Sequence, residues 1–197
     1  MSPGVSWLVA VDLQRVFGDP SSPWATPGFD RAVTGTRVLL PAFAGRTVHT
    51  RFVAPADPTG AWVDYYADWP FALVPADDPL YDLVPGVAAP TDPVVTATTF
   101  GKWGTDLREG IQGNQAIVLT GVSTDCCVLS TALGAADAGV QVRVVADACA
   151  GSSDADHQRA LDAMALYAPL ITLTTVAEVL AVELPVSQVR SGHLRSA

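Results

Sequence analysis

The chain has 197 residues, 49% hydrophobic and 16% charged, with a mean hydropathy of +0.30, which suits a single domain over residues 1–197 with parallel strands covered on both faces. Its 11 basic and 20 acidic residues give a net charge of −9, which opposes the phosphate contacts that dominate nucleic-acid binding, so no nucleic-acid partner is expected. The apolar stretches are too short to cross a bilayer and the first residues lack the basic and apolar regions of a signal peptide, so no membrane partner and a cytoplasmic location are expected.

Short apolar runs rich in β-branched residues alternate with segments of helical length along most of the chain. In chain order the predicted elements are a strand over 7–11, a helix over 27–44 that Thr26 caps, strands over 47–51 and 94–98, a helix over 105–111, a strand over 116–120, a helix over 125–138, a strand over 140–145, a helix over 154–167, a strand over 170–173 and a helix over 176–182. Such alternation predicts right-handed βαβ units. The predicted fold class is therefore α/β: a three-layer α/β/α arrangement in which a Rossmann-like parallel sheet of about six strands carries helices on both faces.

Residues 52–93 are predicted to form a long loop, because they carry eight prolines and no sustained period. Loops of this length without regular structure are uncommon unless they are functional. Aromatic side chains in this loop and near the strand ends could form an apolar or cation-binding pocket. The candidates for substrate contact are Phe17, Trp24, Trp62, Tyr66 and Trp103. For any single aromatic residue, the favoured alternative is that it holds the loop against the domain.

Four residues that could carry chemistry follow predicted strand ends: Asp12, Lys102, Ser123 and Cys127. In doubly wound sheets, ligands bind at the carboxyl ends of the strands, near the switch in strand order. These four residues are therefore expected to converge on one site.

Cys127 is a candidate nucleophile, because it falls in the first turn of a predicted helix, where exposed N–H groups and the helix dipole stabilise a thiolate. A small core residue is an equally good interpretation of this position alone. The adjacent Cys126 is predicted to point about 100° away around the helix, so that the two thiols do not face one pocket. Cys149 follows the next strand and is predicted to lie in the core. Three cysteines match neither an even disulfide framework nor the spacing of a zinc site.

Asp12 ends an apolar strand, where a carboxylate is costly unless it faces a cleft or has a partner. It is a candidate base for the thiol, and a capping or turn role is the alternative. Lys102 is one of few cations near predicted strand ends, and a position beside Asp12 and Cys127 would favour both anions. Its alternative is a solvated lysine at the start of a helix.

Four segments of the chain occur in an order and spacing that match a known family. They read LVAVDLQ at 8–14, WGTDL at 103–107, VLTGVSTDCCV at 118–128 followed by Ala132, and VVADA at 144–148. Together they resemble the cysteine hydrolases of the isochorismatase-like superfamily, a group that includes nicotinamidases and N-carbamoylsarcosine amidases. The resemblance spans roughly residues 7–173, and it identifies Cys127, the second of the two adjacent thiols, as the nucleophile.

The resemblance implies a catalytic set of an aspartate, a lysine and a cysteine, which places Asp12 and Cys127 directly. Direct alignment puts the lysine of the family near Thr96. Lys102 lies about six residues later, and we infer that it reaches back into the pocket from the start of a helix. The rival cations, nearer the first and second strands, are Arg15 and Arg51.

The family also has a cis peptide in the turn before the nucleophile, which falls at Val122–Ser123 in this sequence. The backbone N–H groups of Ser123 and Cys127 are the expected oxyanion donors. Nicotinamidase-type members bind a metal through an Asp-x-His pair after the second strand. This chain has HTRF at 49–52 there, so neither a metal site nor another cofactor is predicted.

Isochorismatases cleave a vinyl ether and can do without the cysteine, so the presence of Cys127 favours acyl-type chemistry. The predicted function is hydrolysis of an amide-type C–N bond in a small molecule through a Cys127 thioester, with Asp12 as general base and acid. The alternatives are a vinyl-ether hydrolase and a binding protein that has kept the fold without its activity. A homo-oligomer is predicted, as is common in the family, with the C-terminal tail over 184–197 packed on its own or a neighbouring subunit.

Overall fold

A six-stranded parallel sheet in the order β3-β2-β1-β4-β5-β6 forms the centre of the computed structural model, which describes residues 5–184. The strands are β1 (Trp7–Val11), β2 (Thr47–Phe52), β3 (Val94–Ala97), β4 (Ala116–Val122), β5 (Gln141–Ala150) and β6 (Ile171–Thr174). The α-helices are α1 (Arg15–Gly18), α2 (Phe29–Leu39), α3 (Ala61–Asp68), α4 (Thr105–Gly110), α5 (Leu129–Asp137), α6 (Asp154–Ala165) and α7 (Val176–Glu183). The C-terminal tail was predicted over 184–197, and from residue 185 onward it lies outside the described residues. Among the described residues, no helix combines the length and apolar character that crossing a bilayer requires.

Side chains of β1 alternate between two layers of helices. Val9 belongs to the apolar cluster that contains Leu107 of α4 and Leu161 of α6. Leu8 belongs to a second cluster, with Leu39 of α2 and Val179 of α7. All five residues of β1 are buried, so the sheet is covered on both faces, as a parallel sheet requires. The predicted three-layer α/β/α fold is confirmed.

The structure corrects three element predictions. Residues 52–93 are not one loop, because they contain α3 and two short 3-10 helices, Pro70–Ala72 and Pro79–Tyr81. The helix predicted over 27–44 begins at Phe29 and gives way to a 3-10 turn after Leu39, and its N-cap is Gly28 in the left-handed conformation rather than Thr26. The helix predicted over 125–138 is divided into a π-helical turn, Thr124–Val128, and α5.

A buried glutamine fixes the 52–93 segment to the sheet. The Nε2 group of Gln14 donates hydrogen bonds to the carbonyl oxygens of Phe52 (2.9 Å) and Tyr81 (2.8 Å), and its Oε1 accepts one from the Phe52 N–H (2.8 Å). The Tyr81 hydroxyl donates in turn to the carbonyl of Ala72 and accepts from the N–H of Ala54. These buried hydrogen bonds position residues 52–93. A segment held in this way needs no periodic apolar face, so the sequence shows no such period there.

The strand order places a crevice above β1 and β4. The chain leaves β1 towards β2 and leaves β4 towards β5, so the connections diverge and the carboxyl ends of the two central strands stay open. Close contact between these strands requires a glycine: Gly121 of β4 has φ +113°, and a Cβ there would lie 2.0 Å from the carbonyl oxygen of Val11.

Gly121→Ala is expected to destabilise the protein by about 3 kcal/mol or more, because a methyl group overlaps the backbone of β1 and the φ angle is unfavourable for alanine. Gly104→Ala is the matched control, since its φ of −178° suits any residue and no atom lies within 4 Å of the added Cβ. Its free energy of unfolding should change by less than about 0.5 kcal/mol. Urea unfolding followed by circular dichroism measures both values, and similar losses in the two variants would contradict the close contact of β1 with β4.

Candidate active site

Asp12 directly follows β1 and carries a fully buried carboxylate at the crevice. Its φ of +49° is uncommon for a residue with a side chain, although aspartate tolerates it better than most. The hydroxyl of Thr50 at the end of β2 accepts a hydrogen bond from the Asp12 N–H (3.2 Å) and donates one to Oδ1 (2.6 Å). Thr50 thereby fixes the rotamer of the carboxylate and leaves Oδ2 free for other partners.

Lys102 supplies the positive charge beside this carboxylate. Its Nζ lies 3.0 Å from Oδ2 of Asp12, and both side chains are fully buried. The ammonium group also donates to the carbonyl oxygen of Thr99 (2.7 Å) and lies 5.0 Å from the centroid of the Phe52 ring. A buried ion pair is tolerated when further polar contacts offset the loss of hydration, and Thr50, Thr99 and Phe52 provide those contacts here.

The other cation positions considered from the sequence lie away from the carboxylate. Thr96, where direct alignment puts the lysine of the family, is exposed on β3 and accepts a hydrogen bond from Arg51 (3.3 Å). Arg15 is exposed and faces Asp82 at 4.0 Å. Lys102 is therefore the cation that the structure brings to Asp12.

Cys127 lies in the π-helical turn that follows β4, and it is buried. The peptide bond Val122–Ser123 that leads into this turn is cis. The Ser123 carbonyl accepts hydrogen bonds from the N–H groups of Cys126 (3.2 Å) and Val128 (3.0 Å), the two neighbours of Cys127. The Thr131 hydroxyl accepts from the Lys102 N–H (2.9 Å) and donates to the Cys127 carbonyl (2.7 Å), so one side chain joins the lysine segment to the cysteine turn.

The surroundings of Cys127 favour the neutral form of its thiol. Burial raises the pKa of Cys127 well above the ordinary value, and the negative charge of the adjacent Asp12 carboxylate raises it further. Lys102 lowers the pKa of Cys127 without reversing the shift. The expectation that the helix terminus stabilises a resting thiolate is therefore corrected: Asp12 faces a neutral thiol from which it can take a proton.

An aromatic-walled pocket of about 410 Å³ opens in front of Cys127. Its aromatic lining residues are Phe17, Trp24, Phe52, Tyr65, Trp69 and Phe100. Burial and the neighbouring Cys126 and Cys127 raise the pKa of Tyr65 to about 12, so its hydroxyl stays protonated beside the thiols. The pocket is large enough for a small organic molecule whose reacting carbon faces Cys127.

Two of the five aromatic residues predicted for substrate contact, Phe17 and Trp24, line this pocket. The other three do not. Trp62 packs on Tyr66, which is itself buried, at a centroid distance of 5.9 Å. Trp103 packs against Gly134 of α5, on the other side of the cysteine turn. These three side chains hold elements together, which is the role favoured above for any single aromatic residue.

Four aromatic residues of the pocket were absent from the predicted set, namely Phe52, Tyr65, Trp69 and Phe100. Tyr65 lies on α3, a helix that the sequence did not indicate, and Trp69 is the C-cap residue of this helix, whose N–H donates to the Tyr65 carbonyl. Phe52 ends β2, and its position one residue beyond the predicted strand was the signal that could have located it.

Both adjacent cysteines line the pocket, contrary to the prediction that Cys126 points elsewhere. That prediction assumed the angular step of an α-helix, whereas this turn is π-helical and wider. Burial and the neighbouring Asp125 raise the pKa of Cys126 to about 11. Cys149 is buried in the core, where the prediction placed it.

No group of three or more His, Cys, Asp or Glu side chains within residues 5–184 could hold a metal ion. His49 in the middle of β2 lies 3.3 Å from Asp92. Nδ1 of His157 lies 2.8 Å from the hydroxyl of Thr124. Both histidines therefore have structural partners, and neither stands beside Asp12 or Lys102.

Comparison with known proteins gives a consistent result for the family. The family model of the isochorismatase domain matches residues 6–178. The isochorismatase domain-containing protein 2 of Xenopus laevis is 38% identical over 84 residues, which are 41% of this chain and 41% of that protein. The chain thus aligns with well under two thirds of the length of this relative. The domain-containing protein 2A of Mus musculus is 44% identical over 50 residues, which cover 25% of this chain and 24% of that protein.

Solved structures share the fold at low sequence identity. A cysteine hydrolase from Pseudomonas syringae pv. phaseolicola superposes with a TM-score of 0.80 at 22% identity, covering 90% of this chain and 92% of that chain. A MAR1 ribonuclease from Caenorhabditis elegans superposes with a TM-score of 0.69 at 22% identity, covering 92% and 82%. At these identities the likeness shows the fold alone.

Asp12→Asn is expected to shift the pH dependence of Cys127 alkylation by iodoacetamide to lower pH. The Asp12 carboxylate raises the pKa of Cys127, so its removal lowers the pKa of the thiol. Mass spectrometry across a pH series, in a Cys126→Ala background, gives the pH midpoint for Cys127. A midpoint at higher pH than in the parent protein would contradict the arrangement of charges described here.

Proposed function

The chain belongs to the isochorismatase family, and we propose that it is a cysteine hydrolase that cleaves an amide-type C–N bond in a small molecule: an amide, imide, urea or carbamoyl compound. One observation carries the proposal. The nucleophile candidate Cys127 lines an aromatic pocket and lies beside the carboxylate of Asp12, whose Oδ2 is 3.0 Å from Nζ of Lys102. A thiol, a base and a cation in this order are the components of nucleophilic acyl transfer.

In the first step, Asp12 takes the thiol proton while the sulfur of Cys127 attacks the substrate carbonyl carbon. A C–S bond forms, and the carbonyl π electrons move to oxygen. The N–H groups of Ser123 and Cys127 are the proposed donors to this oxyanion, each worth roughly 3 kcal/mol in related sites. Because the thiol is neutral at rest, proton transfer and attack are coupled rather than sequential.

In the second step, the protonated Asp12 gives its proton to the substrate nitrogen, the C–N bond breaks, and ammonia or an amine leaves. Asp12 then takes a proton from water, whose oxygen attacks the thioester carbon. The C–S bond breaks, the sulfur regains a proton from Asp12, and the acid is released. Lys102 holds the carboxylate of Asp12 in position between the thiol and the water.

The residues of the site also bear on two alternative functions, a vinyl-ether hydrolase and a nuclease. A vinyl-ether hydrolase needs no thiol beside the base, so the contact of Cys127 with Asp12 favours acyl chemistry. A nuclease activity, as in the name of the Caenorhabditis elegans structure, requires contacts with phosphates. None of the residues that line the pocket is a lysine or arginine, and the chain has a net charge of −9. We therefore propose a small-molecule substrate and no nucleic-acid partner. We also propose that the protein acts without a membrane partner or a cofactor, and that it is a cytoplasmic homo-oligomer. Light scattering would measure the mass of the oligomer.

A screen for ammonia release across amides, imides, ureas and carbamoyl compounds should find a substrate for the wild-type protein. Cys127→Ser should then lose turnover by at least about three orders of magnitude, because the hydroxyl is a far weaker nucleophile in this setting. The matched control is Cys126→Ser, which makes the same change one residue away in the same pocket and should keep most activity. Reversed outcomes would assign the nucleophile to Cys126, and equal activity in all three proteins would exclude thiol catalysis.

Lys102→Met should reduce turnover by about 10²-fold or more, because it leaves a buried carboxylate without its counter-ion. Arg51→Met is the control, since it removes a positive charge from β2, where the Arg51 guanidinium donates a hydrogen bond to the Thr96 hydroxyl rather than to Asp12. Urea unfolding shows whether Lys102→Met remains folded, and kcat/KM is compared under conditions where it is. Near-normal turnover of the folded variant would remove Lys102 from the catalytic set.

A further inference from the structure

One carboxylate stands among the aromatic walls of the pocket. Asp125, two residues before Cys127, lines the same pocket as Trp24, Tyr65 and Trp69. It is half-buried and does not form part of the reaction proposed above. A charged side chain in an apolar pocket costs free energy unless its charge is used, so its presence calls for an explanation.

Hydrogen bonds hold Asp125 ionised and fixed. Its Oδ1 accepts from the Ser123 hydroxyl and the Ser152 N–H (2.9 Å), and its Oδ2 accepts from the Ser152 hydroxyl (2.7 Å). Although burial alone raises its pKa, these bonds bring the pKa of Asp125 below the ordinary value. The thiol of Cys126 donates a further, long hydrogen bond to Oδ2 (3.9 Å), so these four donors occupy the acceptor positions of the carboxylate, and a cationic ligand would meet its negative charge rather than a free acceptor.

The residues that line the pocket provide no positive charge to neutralise Asp125, since they include neither lysine nor arginine. Lys102 does not line the pocket, and its Nζ pairs with Oδ2 of Asp12 at 3.0 Å. A second carboxylate nearby, Asp156, accepts a hydrogen bond from the Ser152 hydroxyl at 3.2 Å, but it pairs with Arg159 and does not line the pocket. Asp125 is therefore the one charged side chain among the residues that line the pocket.

The aromatic side chains that line the same pocket present π faces, which attract cations. Trp24 packs against three of them, with ring centroids 6.1 Å from Phe17, 6.2 Å from Tyr65 and 6.1 Å from Trp69. Several π faces around one space, together with a carboxylate, bind alkylammonium groups more tightly than neutral groups of the same shape. An anionic group would meet both the carboxylate and the negative ring faces.

We propose that the pocket selects amides whose non-reacting end carries a positive charge, a quaternary ammonium or a protonated amine, with Asp125 as counter-charge and Trp24 and Trp69 as the aromatic wall. This substrate class rests on the proposed function, because it assumes that the reacting carbonyl faces Cys127. The cationic end then occupies the outer part of the pocket. The neutral thiol and the amide occupy the inner part.

Binding of three shape-matched probes tests the proposal without turnover. The probes are phenylacetamides with a para trimethylammonium, tert-butyl or sulfonate group, and binding to Cys127→Ser is measured by calorimetry. The trimethylammonium probe should bind at least about tenfold more tightly than its tert-butyl isostere, and the sulfonate most weakly. Raising sodium chloride from about 0.05 M to about 0.5 M should reduce the advantage of the cation and leave the isostere unaffected.

Asp125→Asn, introduced into Cys127→Ser, should abolish most of the preference, and Trp69→Leu should reduce it. The control is Asp162→Asn, which removes the same charge from an exposed position on α6 that bonds only Gln158. Equal affinity for the cation and its isostere would overturn the proposal, as would a preference that survives both pocket variants. If Asp125→Asn does not fold, the salt dependence and Trp69→Leu decide.

The same probes separate this inference from the proposed function, when wild-type protein is tested for ammonia release. If the cationic probe binds more tightly than its neutral isostere but no amide is hydrolysed, the proposed function is contradicted and the proposed cation site is supported. Hydrolysis of the neutral and cationic probes with equal kcat/KM and equal affinity would contradict the cation site and leave the amidohydrolase standing.

Discussion

The ion pair between Asp12 and Lys102 determines how the rest of the site is built. Two opposite charges with no exposed side-chain surface lose their hydration on folding, and their attraction compensates only if the geometry is good and other contacts complete it. The sheet order makes this geometry available. Asp12 follows β1, Lys102 follows β3, and the cysteine turn follows β4, so the three segments reach one crevice from different strands. A pair assembled from distant segments forms only when the whole sheet has formed.

Threonine hydroxyls join these segments to one another. Thr50 of β2 bonds both the N–H and the carboxylate of Asp12, and Thr131 of α5 bonds the backbone at Lys102 and at Cys127. Each hydroxyl accepts one hydrogen bond and donates one, so each fixes two groups relative to each other. The distances within the site therefore depend on residues that never touch a substrate, which is how a rigid framework pre-organises a reaction.

The alternation of strands and helices in the sequence predicted the fold. Position after an apolar strand pointed to Asp12, whereas Cys127 was singled out by the family resemblance, because its position alone suited a core residue equally well. The sequence indicated Lys102 less directly, since alignment pointed to Thr96, and the signal used was that few cations lie near predicted strand ends. The pocket walls were harder to predict, because the segment that contains α3 carries no sustained apolar period, and buried hydrogen bonds from Gln14 and Tyr81 fix the chain on either side of this helix. The shared orientation of Cys126 and Cys127 depends on a π-helical turn, which single-sequence patterns do not indicate.

The charges around Cys127 relate substrate choice to reactivity. Burial and Asp12 keep the thiol protonated, and Lys102 offsets that effect only in part. During attack, negative charge moves from Asp12 towards the sulfur and the carbonyl oxygen, deeper in an apolar pocket where electrostatic interactions are strong. A cation held by Asp125 and the aromatic wall would bring a second positive charge to this space only when substrate is present. Its attraction for the developing oxyanion grows as the reaction proceeds, so part of its binding energy would act on the transition state rather than on the ground state.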